Sequence, residues 1–90
     1  MYSLEFTDSA KKDISKLKRS ENQAYKKLAK LLEELQEHPY TGTGQPEVMR
    51  YGYSGYYSRR INKKHRLVYQ VDDDKIEVLV ISSLGHYQDK

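Results

Sequence analysis

The N-terminal part of the chain changes from the hydrophobic period of a strand to that of a helix. Apolar and polar residues alternate over Tyr2–Phe6, which predicts a short strand with one apolar face. Apolar residues then recur at helical spacing over Ser9–Arg19 and, after a break at Ser20–Asn22, over a second segment that ends near Glu37. The pattern therefore predicts one strand followed by two amphipathic helices.

Residues suited to helix ends support these boundaries. Thr7 or Asp8 can cap the first helix, and Ser20 or Asn22 can cap the second. The second helix is expected to end before Pro39, because a residue that precedes proline avoids the helical conformation.

The rest of the chain, after a loop with two glycines over Tyr40–Pro46, has the pattern of short strands separated by turns. Four strands are predicted: Glu47–Tyr51, Tyr56–Ile61, His65–Val71 and Lys75–Ser82. The run Val78–Ile81 is apolar on both faces, as expected of a strand at the centre of a sheet. The order of elements predicts an α+β fold, with an N-terminal strand and two helices packed on one face of a mainly antiparallel sheet.

Length and composition narrow the class of protein. Ninety residues predict one domain, residues 1–90, with 37% hydrophobic and 32% charged residues. Cysteine is absent, which excludes disulfides and thiolate metal sites. No apolar run has the length of a membrane span and no signal-peptide core is present, so a soluble cytoplasmic protein is expected. The formal net charge of +3 favours polyanionic partners where the cations cluster, whereas the lysines of the first helix fit a solvated surface.

Strand alternation places two arginines on the open face of the predicted sheet. In the third strand, Arg60 shares the face of Ser58, whereas the stem of Arg59 points towards the helices. In the next strand, a buried Leu67 would place Arg66 on the open face. Two neighbouring arginines suit a phosphate group, which a guanidinium can hold through two hydrogen bonds. The alternative is that each arginine pairs with a surface carboxylate.

Glu47 and His86 are candidates for acid–base chemistry. Glu47 leads from a glycine-containing loop into a strand, where it can act as a general base or be a solvated edge-strand glutamate. His86 can act as an acid or base near neutral pH, or be an inert residue near the C-terminus. No metal site is expected, because His38, His65 and His86 lack the spacing of metal ligands. No motif of a serine-nucleophile triad is present either.

Together these groups match the requirements of RNA cleavage through the RNA's own 2′-hydroxyl. A base removes the proton of that hydroxyl, arginines stabilise the charge on the phosphorane, and an acid protonates the departing 5′-oxygen. This chemistry requires neither a metal nor a protein nucleophile.

Three motifs and a closing residue pair resemble the YoeB (Txe-like) branch of the RelE/ParE toxins. They are Gly42-x-Gly44-x-Pro46-Glu47, Ser54-Gly55-x-x-Ser58-Arg59-Arg60-Ile61, His65-Arg66-Leu67-Val68-Tyr69, and the pair His86-Tyr87. The resemblance is specific from Gly42 to Tyr69 and at the closing pair, and it extends more loosely over the whole chain. The strand–helix–helix–sheet order agrees with it.

This resemblance implies the toxin of a type II toxin–antitoxin system, which cuts mRNA in the ribosomal A site and stops translation. It implies that Glu47 is the general base, Arg66 the catalytic arginine and His86 the general acid. It further implies that Tyr87, Arg50 and Arg60 contact the substrate. We also place the neighbouring Arg59 among the substrate-binding residues.

The implied partners are a YefM-like antitoxin, the ribosome and mRNA, and a homodimer is a further option. Two features depart from the family pattern: Gln88–Lys90 follow the closing pair, and Ser83–Gly85 stand where a shorter, more polar link is common. Of the roles that the resemblance implies, that of His86 therefore rests on the weakest match to the family pattern.

Two other functions compete with RNA cleavage. A ParE-like toxin would bind DNA gyrase without ribonuclease chemistry, and the joint presence of Glu47, Arg66 and His86 argues against it. A pure RNA-binding module would have the basic face without catalysis. The substitution Glu47→Ala separates these alternatives, because only an enzyme would lose toxicity while it still binds ribosomes.

Overall fold

The computed structural model describes residues 1–42, 47–48 and 56–82. The elements follow in the order β1 (Ser3–Phe6), α1 (Asp8–Ser20), α2 (Asn22–Glu37), β2 (Glu47–Val48), β3 (Tyr56–Arg60), β4 (Arg66–Asp72) and β5 (Glu77–Ser82). Both helices cover one face of the sheet, which confirms the predicted α+β class. Within the described part of the chain, no helix is long and apolar enough to cross a membrane.

The two helices differ in how they begin. Thr7 caps α1, and its hydroxyl oxygen accepts the main-chain N–H of Ala10 at 3.0 Å. The prediction that Ser20 or Asn22 caps α2 is wrong, because the residue before the helix is Glu21, which makes no side-chain capping bond. Ser20 instead donates its hydroxyl to the carbonyl of Lys16 at 2.8 Å and still belongs to α1. The helices are therefore joined by a single residue.

The described strands form one five-stranded sheet in the order β1-β5-β4-β3-β2. β1 pairs with β5 in parallel, whereas the other neighbours are antiparallel. β5 has a neighbour on each side, as the apolar run Val78–Ile81 predicted. β2 lies at the edge, with Glu47 opposite Ser58 and Val48 opposite Tyr57. The predicted strand Glu47–Tyr51 is confirmed at its first two residues, and the others lie outside the described residues.

The core lies between the helices and one face of the sheet. The helices contribute buried residues at helical spacing, Ala10, Leu17, Ala24, Leu28, Leu31 and Leu35, and the sheet contributes Leu67, Tyr69, Val78 and Val80. Residues paired across antiparallel strands share a face. The pairs Ser58–Val68 and Arg60–Arg66 therefore lie on the face opposite the helices, which confirms the predicted strand phase.

The turn between β3 and β4 places Arg60 and Arg66, which flank it, opposite each other. Asn62 Oδ1 accepts the main-chain N–H groups of Lys64 and His65, both at 2.8 Å. The N–H of Ile61 donates to the carbonyl of His65 at 3.0 Å, which closes the turn. Asparagine stabilises such turns because its side chain imitates a main-chain acceptor. The turn fixes the register in which Arg60 lies opposite Arg66.

Candidate active site

Glu47, Ser58 and Arg66 meet on the sheet face that the helices do not cover. The β2–β3 register places Glu47 opposite Ser58, and β4 carries Arg66 beside them. Arg66 Nη2 donates to Glu47 Oε1 at 2.9 Å and to Ser58 Oγ at 3.1 Å. Arg66 Nε also donates to Ser58 Oγ, at 3.3 Å. Three strands therefore hold one carboxylate and one guanidinium in direct contact.

The exposure of these groups suits a site that binds a ligand. The side chain of Arg66 is 33% exposed and that of Glu47 59% exposed, whereas Ser58 is 3% exposed. An ion pair this accessible adds only about 0–1 kcal/mol to stability. The sequence left open whether Arg66 binds phosphate or pairs with a surface carboxylate. Its carboxylate partner is Glu47, the candidate base itself.

Ser58 is a site residue that the sequence analysis did not single out. It is nearly buried, and its hydroxyl oxygen accepts two hydrogen bonds from Arg66. These bonds fix the plane of the guanidinium. The signal in the sequence was the strand phase, which already placed Ser58 and Arg66 on one face.

Arg60 lies on the same face as Arg66 and directly opposite it in the β3–β4 register. Its side chain is exposed. Two cations on neighbouring strands raise the local positive potential, which favours a phosphodiester.

Arg59 requires a correction. It was placed among the substrate-binding residues, but its side chain is 0% exposed and lies on the helix side of the sheet. Its guanidinium donates to Glu34 Oε1 and Tyr69 Oη, each at 3.2 Å, and to main-chain carbonyls after α2. A buried guanidinium must be satisfied by protein groups, which explains these bonds.

His65 lies in the β3–β4 turn, next to Arg66 in the chain. Its Nε2 is 3.0 Å from Glu21 Oε2, and this hydrogen bond holds the pKa of the Glu21 carboxyl below its ordinary value. The contact joins the helix junction to the turn that carries the arginines. Among the described residues, no group of three or more histidine and acidic side chains is arranged to hold a metal ion.

Three residues of the predicted site fall outside the described residues: Arg50, His86 and Tyr87. The described part of the site therefore consists of Glu47, Ser58, Arg60 and Arg66.

Known proteins are similar to this chain in both sequence and fold. The family model of the YoeB-like toxin of bacterial type II toxin–antitoxin systems matches residues 6–87. The Mycobacterium tuberculosis protein "Toxin RelK" is 36% identical over 87 residues, which covers 97% of this chain and 100% of the relative. "Toxin YoeB" of Escherichia coli K12 is 40% identical over 62 residues, 69% of this chain and 71% of the relative.

Solved structures agree with the sequence comparison. A YoeB/ParE toxin from Agrobacterium tumefaciens has a TM-score of 0.88 at 32% identity, over 94% of this chain and 99% of that chain. The toxin in a heterotetrameric YoeB-YefM toxin–antitoxin complex from Staphylococcus aureus has a TM-score of 0.82 at 34% identity, over 97% and 99%. A YoeB dimer from the same species has a TM-score of 0.83 at 34% identity, over 96% and 98%. The chain belongs to the YoeB-like toxins of bacterial type II toxin–antitoxin systems.

Proposed function

We propose that this toxin is an endoribonuclease that cuts mRNA in the ribosomal A site and thereby inhibits translation. The observation that carries the proposal is the contact of Glu47 with Arg66, at 2.9 Å, on a sheet face where Arg60 adds a second cation. A base beside a phosphate-binding cation is the pair of groups that 2′-hydroxyl attack needs.

In the proposed reaction, Glu47 accepts the proton of the 2′-hydroxyl of the nucleotide before the scissile bond. The 2′-oxygen then attacks the adjacent phosphorus, which forms a new P–O bond and breaks the bond to the 5′-oxygen. The electron pair of the broken bond stays on that oxygen, which takes up a proton as it departs. The chain supplies the acid and the base, and the RNA supplies its own nucleophile.

Arg66 stabilises the negative charge that develops on the phosphorane. Its contacts to Glu47 and Ser58 use Nε and Nη2, and within the described residues Nη1 has no partner. Nη1 therefore has two N–H donors for a phosphate oxygen while Nε and Nη2 hold the guanidinium in place. Arg60 contributes a second positive charge from the neighbouring strand.

The remaining roles rest on the resemblance of the sequence. His86 protonates the leaving 5′-oxygen, Tyr87 holds the substrate, and Arg50 contacts RNA. A YefM-like antitoxin neutralises the toxin, a partnership supported by the YoeB-YefM complex from Staphylococcus aureus. The YoeB dimer from that species supports a homodimer of this chain.

The test is cleavage mapping on mRNA in a reconstituted translation system, with wild type and Glu47→Ala side by side. We expect discrete cuts in the A-site codon with wild type and their loss with Glu47→Ala, which removes the base. Glu33→Ala is the matched control, because Glu33 is an exposed acid of α2 on the other side of the molecule. If folded wild-type protein makes no cuts, the gyrase-binding and RNA-binding alternatives take precedence.

A further inference from the structure

The segment that follows α2 is held against the sheet by the buried Arg59. Its Nη2 donates to the main-chain carbonyls of His38 and Thr41, the latter at 2.6 Å. Its Nη1 lies 3.2 Å from Glu34 Oε1 of α2, and its Nε donates to Tyr69 Oη at 3.2 Å. One side chain therefore fixes both the end of α2 and the residues immediately after it.

The tyrosines around Arg59 strengthen this attachment. Tyr69 Oη donates to the carbonyl of Pro39 at 2.8 Å. The ring of Tyr57 stacks on Tyr69 at a centroid distance of 5.8 Å, and Tyr40 contacts the ring of Tyr57 edge-on at 5.3 Å. Pro39 and Tyr40 are thus held by the same strands that hold His38 and Thr41.

Gly42 continues this segment in a backbone conformation that favours glycine. Its φ is +116°, a backbone conformation that residues with a side chain rarely adopt. A Cβ at this position would lie 2.5 Å from Glu34 Oε1 and 3.2 Å from Arg59 Nη1. The backbone of Gly42 therefore passes directly against the ion pair of Arg59 and Glu34.

The chain from Gly42 to Glu47 is anchored on β3 at both ends. Glu47 pairs with Ser58, and Ser58 directly precedes Arg59. Consecutive strand residues point to opposite faces, so Arg59 holds one end on the helix side and Ser58 meets the other end on the open side. Five residues span at most about 18 Å, which leaves a connection of limited length. The two ends of this connection are therefore held by adjacent residues of β3.

We propose that Arg59 is a positioning residue that, with Glu34 and Gly42, places Glu47 within hydrogen-bonding distance of Arg66. The inference rests on the proposed function, in which Glu47 is the general base. An arginine suits this role because its planar fork reaches several acceptors at once, which the single ammonium group of a lysine cannot do in the same geometry.

The test compares Gly42→Ala and Arg59→Lys with wild type in steady-state cleavage on ribosomes that carry a defined A-site codon. A misplaced base slows the chemical step, so we expect kcat per folded molecule to fall roughly 10- to 100-fold in both variants. KM should stay within about threefold, because Arg60 and Arg66 remain in place. Val78→Ala is the control: Val78 is a buried core residue of β5, which pairs with β1 and β4 and not with β3, and the kcat of this variant per folded molecule should match wild type.

A second readout follows the position of Glu47 without any cleavage. The guanidinium ¹⁵N resonances of Arg66 report its contact with Glu47, and Glu47→Ala gives the resonances of the broken contact. Gly42 is an exposed residue. We expect Gly42→Ala to shift the Arg66 resonances towards those of Glu47→Ala. Wild-type kcat and wild-type Arg66 resonances in Gly42→Ala would overturn the positioning role. Retained cleavage by Glu47→Ala would instead overturn the proposed function, whatever Gly42→Ala does.

Discussion

Two arginines on neighbouring strands have opposite environments in this toxin. Arg59 is fully buried, and its guanidinium is bonded to a carboxylate, a phenol and main-chain carbonyls. Arg66 is a third exposed, and its contacts to Glu47 and Ser58 involve only one side of the guanidinium. The difference arises from a single step in strand phase, because each strand residue points to the opposite face from the one before it. The same chemical group therefore supports the fold in one place and remains accessible to a ligand in the other.

Arg66→Lys tests whether the geometry of the guanidinium matters or only its charge. Lysine keeps the charge but cannot hold Glu47, Ser58 and a phosphate together. We expect the single-turnover rate of mRNA cleavage on the ribosome to fall roughly 10²- to 10³-fold, while ribosome binding is largely retained. Lys75→Arg, an exchange of the same residue types at an exposed turn position, is the control. A wild-type rate from Arg66→Lys would show that charge alone suffices.

At the level of elements, Asp73 connects three segments that are far apart in the chain. It lies in the turn between β4 and β5, and its two carboxylate oxygens accept the hydroxyls of Tyr2 and Tyr40, each at 2.6 Å. These hydrogen bonds hold the pKa of the Asp73 carboxyl below its ordinary value and raise the pKa values of both tyrosines. The start of the chain and the segment after α2 are thereby joined to the same turn.

Asp73→Asn should remove part of the pH dependence of folding stability. The folded-state pKa of Asp73 is lowered, so the stabilisation is complete above the unfolded-state pKa of about 3.9 and is lost as pH falls through the folded-state value. We expect the free energy of unfolding of wild type to decline more steeply than that of Asp73→Asn below about pH 4. Urea titrations at a series of pH values measure this difference.

Asp74→Asn is the matched control for Asp73→Asn, because it removes an exposed acid from the same turn. Its stability curve should run parallel to that of wild type in the acid range. An Asp73→Asn curve that also runs parallel to wild type would show that the two tyrosine contacts contribute nothing to the acid dependence.

The sequence predicted the elements better than the contacts between them. Strand alternation was enough to place Arg60 and Arg66 on the open face, because a period of two is a local property of the chain. It also placed the stem of Arg59 on the helix side, but the acceptors of its guanidinium belong to α2, to the segment after it and to β4. The start of α2 was missed because Ser20 and Asn22 are both good caps in isolation. In the structure Ser20 is instead the last residue of α1, bonded to the carbonyl of Lys16, and Glu21 stands between the helices.

At the scale of the whole molecule, the described residues of the open face carry their charges unevenly. Arg60 and Arg66 lie near the β3–β4 turn, whereas Asp72, Glu77 and the acidic β4–β5 turn lie at the far end of the same strands. With a formal net charge of +3, the chain attracts polyanions overall. The acidic end repels phosphates, which in the proposed function directs the RNA backbone to the end that holds Glu47.

Ribosome binding should weaken steeply as salt concentration rises, because each phosphate contact releases counterions. Arg60→Ala should lower the slope of log K against log salt by roughly 0.7 to 0.9, the loss of one contact. Lys75→Ala removes a cation at the acidic end of the face and should leave the slope unchanged. Affinity measurements at several salt concentrations test this, and a salt-insensitive wild type would contradict the role of the basic end.

The parallel pairing of β1 with β5 has a consequence for the folding of the newly synthesised toxin. Ser3 pairs with Glu77, so β1 has no neighbouring strand until β5, the last of the described strands, has been made. Until β5 is inserted, β1 and β4 have no strand between them, and the apolar stripes of α1 and α2 have no complete sheet to cover. Pairings this distant in sequence form late in folding. The toxin fold therefore cannot be completed until β5 is free to insert between β1 and β4.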